Sequence, residues 1–184
     1  MTPDFSRTLQ IQTAGLFTAL IAVGAFISIP VPISPVPIVL QNFFVLLTGF
    51  FLAPFWAFLS VFVYLSAGAI GLPVFAGATG GLAHFAGPSG GYLISYIAVA
   101  PLVSLLSGTD RGRLRLAAAA TVGVLCMYCA GVPRLAQVLE LTTGEALITG
   151  ALPFLPGDLV KIVLAVVVVR GVPESVWQNL RFKR

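Results

Sequence analysis

The chain has 184 residues, of which 58% are hydrophobic and 9% are charged, and its mean hydropathy is +1.03. About 25% of the residues of a soluble domain are charged, so this composition excludes an ordinary soluble protein. The net charge of +4 does not indicate nucleic-acid binding, because the basic residues lie between and after apolar segments instead of forming one polar face. We expect a single integral membrane domain over residues 1–184.

The first half of the chain contains a long stretch without Lys, Arg, Asp or Glu, which runs between Arg7 and Asp110. A membrane span needs about 20 apolar residues, so this stretch has room for about four spans. The apolar segment after Arg7 is too long for a signal peptide and has no small-x-small cleavage site. It is therefore predicted to be the first span.

Proline and glycine clusters divide the apolar sequence into six predicted spans, so the predicted fold is an all-α bundle of six transmembrane helices. In chain order the spans cover residues 8–29, 38–51, 55–70, 92–106, 116–130 and 158–170. The proline-rich residues 30–37 end the first span, and the glycine-rich residues 71–91 separate the third from the fourth. Residues 131–156 are predicted to be partly helical and to pack near the membrane surface.

The distribution of basic residues predicts that both termini are cytoplasmic. In that orientation Arg134 is the one basic loop residue outside, and the others lie inside: Arg7, Arg111, Arg113, Arg115, Arg170, Arg181, Lys183 and Arg184. The proline-rich loop, the glycine-rich loop and the start of the last span then lie on the outer side, where we expect them to meet around one pocket. Trp177 is predicted to be an anchor at the cytoplasmic interface.

Asp158 and Lys161 are ionisable residues at the start of the last span, and their i, i+3 spacing places them on one helix face. The alternative to a functional site is an ion pair that only neutralises itself. The helix dipole favours Asp158 in a first turn but opposes Lys161 there. Because charges within a membrane usually mark a site, we favour a role in ligand binding.

The glycine-rich loop carries Phe75, Phe85 and Tyr92 among six glycines between residues 75 and 92. Glycine allows a ligand to lie against the main chain, but it is also frequent in tight turns and helix contacts of membrane proteins. The residues alone leave these two interpretations open. His84 is expected to be a hydrogen-bonded loop residue, since a lone histidine cannot form a His-rich metal site.

An enzymatic interpretation rests on the sequence Gly-Pro-Ser-Gly around Ser89, which fits the G-x-S-G of intramembrane serine proteases. The geometry is unfavourable, because His84 lies just upstream and no histidine follows Ser89.

Cys126 and Cys129 form a C-x-x-C within an apolar segment, where small packing residues are expected instead of redox or zinc chemistry.

The first span carries small residues along one face. Gly15 and Ala19 form one small-x-x-x-small pair, and Ala14, Thr18 and Ala22 form a second series. Such stripes allow helices to approach closely, either within the bundle or against another subunit. The sequence alone does not distinguish these two uses.

Four segments of the chain resemble, in the same order, the BioY family of biotin-binding S components of energy-coupling factor (ECF) vitamin transporters. The segments are PVPISPVP at 30–37 with Gln41 after it, GLPVFAG at 71–77, GLAHFAGPSGGY at 81–92 and FLPGDLVK at 154–161. In the first helix the family's usual Ala and Ala correspond to Gly15 and Ala19 here.

The resemblance implies a transport protein and not an enzyme, without cofactor or metal, that captures biotin on the outer side of a bacterial cytoplasmic membrane. Similar proteins work with a transmembrane T component and two ATPases. This chain has no G-x-x-x-x-G-K-[ST], so it does not itself hydrolyse ATP through such a loop. Whether it acts alone, as a homo-oligomer or with these partners is left open, and no nucleic acid is expected as a partner.

The resemblance and the residues together give a set of candidate binding residues. The carboxylate or the polar ring of biotin is placed near Asp158 and Lys161, and its apolar body against aromatic side chains. The predicted binding residues are Asp158, Lys161, Tyr92, Phe75, Phe85, Gln41, Thr79, Gly90 and Gly91. Gly15 and Ala19 are the predicted docking residues for a partner helix.

Overall fold

The computed structural model describes residues 3–108 and 111–182, and the side chains of residues 7–108 and 111–180. Asp110, Lys183 and Arg184 lie outside these residues, as does the side chain of Arg181. The protein is 74% helical, which confirms a mainly helical membrane protein. The described elements are α1 Pro3–Phe26, β1 Ser28–Val31, β2 Ser34–Val39, α2 Gln41–Phe51, α3 Pro54–Ala69, α4 Ala83–Ala86, α5 Gly90–Ser107, α6 Arg113–Leu139, α7 Thr143–Gly150, α8 Leu155–Gly171 and α9 Glu174–Phe182.

Of the helices described, three are long and apolar enough to cross a membrane: α1 over Arg7–Phe26, α5 and α6. Helices α7 and α8 are bent by 50° relative to each other, and the two together are also long and apolar enough to form one span. Helices α2 and α3 are apolar but shorter, with 11 and 16 residues. At about 1.5 Å per residue, α2 extends over roughly 16 Å, about half of a hydrocarbon core.

Helix α5 is central and packs against α2, α3 and α6, while α1 lies against α2 and α3. Helix α8 completes the bundle by contacting α2 and α6. Two glycines let the helices approach α5 closely: a Cβ at Gly49 would lie 2.6 Å from the backbone oxygen of Ala100, and one at Gly123 would lie 2.7 Å from Val103. Small residues therefore set the spacing of the bundle.

The proline-rich segment is not an irregular loop, as its prolines suggested, but an antiparallel hairpin formed by β1 and β2. Ser28 pairs with Val39, and Val31 pairs with Ser34. Prolines are tolerated because both strands are edge strands, in which alternate N–H groups point away from the partner. This hairpin departs from the all-α prediction.

Helix α6 continues nine residues beyond the predicted end at Ala130 and passes through Pro133. Gly131 and Pro133 suggested a helix end because proline removes a backbone donor and glycine has a low helix propensity. The structure shows a packing role for Gly131 instead, since a Cβ there would lie 2.2 Å from the ring of Tyr92. The segment that follows contains α7, so it is partly helical, as predicted. A capping box between Thr142 and Glu145 begins this helix.

The prediction of Trp177 as an interfacial anchor is wrong, because its side chain is 1% exposed. The indole N–H donates a hydrogen bond of 3.0 Å to the backbone oxygen of Phe50, at the end of α2. The guanidinium of Arg111 lies 5.4 Å from the ring centroid and donates to the backbone oxygens of Val169 and Val172 at the end of α8. These side chains therefore bind backbone carbonyl groups at the ends of two helices.

Gly49→Ala tests the close contact of α2 with α5. The added methyl group meets backbone and a β-branched side chain, so we expect a loss of about 1–3 kcal/mol in the free energy of unfolding. Thermal denaturation in detergent measures this. The control is Gly144→Ala in α7, where a Cβ has no atom within 4 Å. Equal stability of the two variants would contradict the packing account.

Candidate functional site

Two adjoining cavities lie at the end of the bundle where the hairpin, the glycine-rich loop and the starts of α5 and α8 meet. The larger has a volume of about 290 Å³ and the smaller about 50 Å³. Both are lined by Val36, Pro37 and Val39 of the hairpin and by Tyr92 and Tyr96 of α5. The three segments that were expected to share one outer pocket are thus brought together.

Asp158 forms the polar centre of the smaller cavity and is 4% exposed. Its Oδ1 accepts hydrogen bonds from Lys161 Nζ at 3.1 Å and from Asn42 Nδ2 at 2.8 Å. Its Oδ2 accepts one from the hydroxyl of Tyr128 at 2.5 Å. Helices α2, α6 and α8 therefore supply the partners that a buried carboxylate needs.

Lys161 is 7% exposed and lies in the second turn of α8. An ammonium group has three donors, and the structure shows one of them bound to Asp158. Asn42 Oδ1 is buried in the same place without a hydrogen-bond partner among the described residues. The smaller cavity thus offers both free donors and a free acceptor to a ligand.

The larger cavity is bounded by a cluster of hydrogen-bonded and aromatic side chains. Gln41 Nε2 donates to the hydroxyl of Tyr64 at 2.8 Å, and that hydroxyl donates to the backbone oxygen of Val74 at 3.1 Å. The ring of Phe75 lies edge-on to Tyr64, with centroids 5.7 Å apart, and to His84, at 5.4 Å. This packing fixes the aromatic wall of the cavity.

The structure brings five of the predicted binding residues to the two cavities: Gln41, Phe75, Tyr92, Asp158 and Lys161. The other four lie outside their linings. Phe85 packs behind Phe75, with ring centroids 5.6 Å apart. Thr79 is exposed and forms a backbone bridge with Phe75.

Gly90 and Gly91 also lie outside the cavity linings, and both serve close backbone contacts. A Cβ at Gly90 would lie 2.1 Å from the backbone oxygen of Phe85, and one at Gly91 would lie 2.3 Å from that of Ala130. These two glycines hold the glycine-rich loop and α6 against the start of α5. At Gly90 and Gly91 the glycines of the loop therefore serve close packing of the backbone, and not the close approach of a ligand.

Sequence reasoning missed Asn42, Tyr96 and Tyr128, all of which line the smaller cavity. Asn42 carried a usable signal, because it is an amide in an apolar segment directly after Gln41. Tyr128 gave a weaker signal, since tyrosine is common at membrane interfaces. Its contact with Asp158 depends on how α6 and α8 pack, which periodicity does not determine.

Ser89 and His84 both line the larger cavity, but no hydrogen bond joins them within the described part of the chain.

Cys126 is half-buried and Cys129 is exposed, and both are free thiols. Cys126 packs against the core, as predicted, whereas Cys129 does not. The described residues contain no group of three or more His, Cys, Asp or Glu placed to hold a metal ion.

Comparison with known proteins gives the family. Residues 1–178 match the BioY family. The probable biotin transporter BioY of Pyrococcus horikoshii is 42% identical over 88% of this chain and 94% of its own length, and the biotin transporter BioY of Thermotoga maritima is 40% identical over 86% and 92%. A crystal structure of the S-component for biotin from an ECF-type ABC transporter superimposes with a TM-score of 0.85 and 33% identity, covering 92% of this chain and 93% of that one. The chain therefore belongs to the BioY family.

Proposed function

We propose that this protein captures biotin with high affinity, as the substrate-specific subunit of an ECF-type transporter. It is a member of a family of membrane transporters and not an enzyme. The observation that carries the proposal is the smaller cavity, in which a buried neutral ion pair adjoins an unpaired amide oxygen. The names of the relatives and of the matching crystal structure support biotin as the ligand.

The polar groups of the smaller cavity favour the ureido ring of biotin over its carboxylate. A ureido group has a carbonyl acceptor for Lys161 and N–H donors for Asn42 Oδ1. A carboxylate only accepts, so it would leave Asn42 Oδ1 unpaired. It would also add a net charge to the balanced pair of Asp158 and Lys161, which is unfavourable in a buried site.

The larger cavity then holds the valerate chain and its carboxylate. Its walls combine apolar hairpin residues with the ring of Phe75. Gln41, His84 and Ser89 supply polar groups along the same cavity. The arrangement resembles that of many small-molecule sites, which are mostly apolar with a few convergent polar groups.

We further propose six membrane crossings, with both termini on the cytoplasmic side of a bacterial inner membrane. In this arrangement the hairpin and α2 cross together, so that the hairpin supplies the depth that the short helix lacks. The biotin cavities then open outward. Arg111, Arg113, Arg115 and Arg170 lie at the opposite end, as the positive-inside rule favours.

The small residues of α1 support docking of a T component, which carries the coupling to ATPase subunits. Ala14 and Thr18 pack within the bundle: the hydroxyl of Ser60 donates to the oxygen of Ala14, and that of Thr18 to the oxygen of Ser60. Gly15 and Ala19 are exposed. The two stripes thus have different surroundings, and the second is available to a partner helix.

Titration calorimetry tests the ligand. The purified protein is expected to bind biotin tightly and to show no measurable heat with thiamine or riboflavin, which lack the ureido ring. Desthiobiotin, which keeps both the ureido ring and the carboxylate, is the matched positive control. Binding of thiamine or riboflavin as tight as that of biotin would contradict the proposed function.

Lys161→Met tests which end of biotin lies in the smaller cavity. A lost hydrogen bond to a charged group weakens binding by about tenfold to a hundredfold. We expect the same factor for biotin and for biotin amide, whose carboxylate is neutralised. A loss confined to biotin would place the carboxylate at Lys161 instead. Asp158→Asn combined with Lys161→Met keeps the site neutral and controls for an unpaired buried carboxylate.

Gly15→Leu tests the docking face. We expect the larger side chain to prevent co-purification with a T component while biotin binding is unchanged, because a Cβ at Gly15 has no atom within 4 Å in this chain. Ala118→Leu on the exposed face of α6 is the control and should co-purify normally. Loss of biotin binding in Gly15→Leu would show that the stripe packs the protein's own bundle.

A further inference from the structure

An open groove of about 610 Å³ lies between α6 and α8 on the outer surface of the bundle. Its walls include Ala117 of α6 and Val163 and Val167 of α8, and the guanidinium groups of Arg113 and Arg170 line one end. That end is the opposite one from the biotin cavities, since Asp158 begins α8 and Arg170 lies in its last turn.

The apolar part of the groove faces out of the protein. Val163 is 54% exposed and Val167 60% exposed, while Leu114, beside Arg113, is 88% exposed. Along α8 the groove extends from Ile162 to Arg170, about 12 Å at the rise of an α-helix. This length is close to the hydrocarbon depth of one leaflet, which is about 15 Å.

The two arginines have no anionic partner among the side chains that the structure describes, residues 7–108 and 111–180. Neither Arg113 nor Arg170 forms a hydrogen bond or ion pair with any residue that the structure describes. Among those residues, the pair of Asp158 and Lys161 is the one salt bridge. The groove lining, as far as the chain is described, contains no acidic residue. The groove therefore joins an apolar channel one leaflet deep to two arginines that no described acidic side chain neutralises.

We propose that this groove binds an anionic phospholipid of the cytoplasmic leaflet. The phosphate lies between Arg113 and Arg170, and one acyl chain follows Val167 and Val163 toward the bilayer centre. Basic pockets between membrane helices bind anionic head groups in this way. The proposal depends on the membrane orientation proposed above, and not on biotin as the ligand of the protein.

Native mass spectrometry of the protein in nanodiscs or mild detergent tests the site, with equal amounts of phosphatidylglycerol and phosphatidylcholine. We expect the wild type to retain more phosphatidylglycerol than phosphatidylcholine. The ratio of retained phosphatidylglycerol to phosphatidylcholine should fall about fivefold in Arg113→Gln, and by a similar factor in the separate variant Arg170→Gln. Arg7→Gln is the control, because Arg7 is an exposed basic residue on the same side that does not line the groove. Circular dichroism checks that each variant is folded.

Ala117→Phe separates a lipid site from simple surface attraction, because it fills the apolar channel and keeps both arginines. We expect this variant to lose its retention of phosphatidylglycerol. In the wild type, glycerol 3-phosphate, which has no acyl chain, should not compete with the lipid. Equal retention of both lipids, or unchanged retention in Ala117→Phe, would overturn the proposal. A dimer mass that disappears in Ala117→Phe would assign the groove to a second copy of the chain and would also overturn it.

Discussion

The structure depends on burying two opposite charges inside an apolar bundle. A charge removed from water costs several kcal/mol even after the protein relaxes, and the pair is tolerated only where each polar atom finds partners. Asp158 obtains its partners from three helices, through Lys161, Asn42 and Tyr128. The position of α2 and α6 relative to α8 is therefore tied to one carboxylate. Any rearrangement that separates these helices leaves that carboxylate underbonded.

The same requirement assigns different roles to the two charged residues. Both oxygens of Asp158 are already occupied, so its role is to position Lys161 and to balance its charge. Lys161 keeps free donors, and Asn42 keeps a free acceptor, so these two residues offer unpaired polar groups to the smaller cavity. Because the pair is neutral overall, the site is better suited to a neutral polar ring than to an anion.

The membrane class, the approximate positions of most of the long helices and the charged pair could be predicted from the sequence, because each depends on local composition or spacing. Asp158 and Lys161 stood out since ionised residues are rare in apolar segments. The contacts of Tyr128 and Trp177 could not be predicted, because each lies in a segment remote from its partner and depends on how helices pack. The hairpin was missed because prolines argue against helix and strand alike, and only the edge position of both strands accommodates them.

Helix α2 carries Gln41 and Asn42 to the site, and its shortness is explained by what lies at its two ends. In a bilayer, backbone groups that a helix end leaves unpaired must bond within the protein. At one end the hairpin closes onto α1, where the N–H of Leu40 donates to the oxygen of Ile27 at 3.0 Å. At the other end Trp177 covers the oxygen of Phe50. A helix terminated in this way can stay short, and Gln41 and Asn42 in its first turn then line the two cavities.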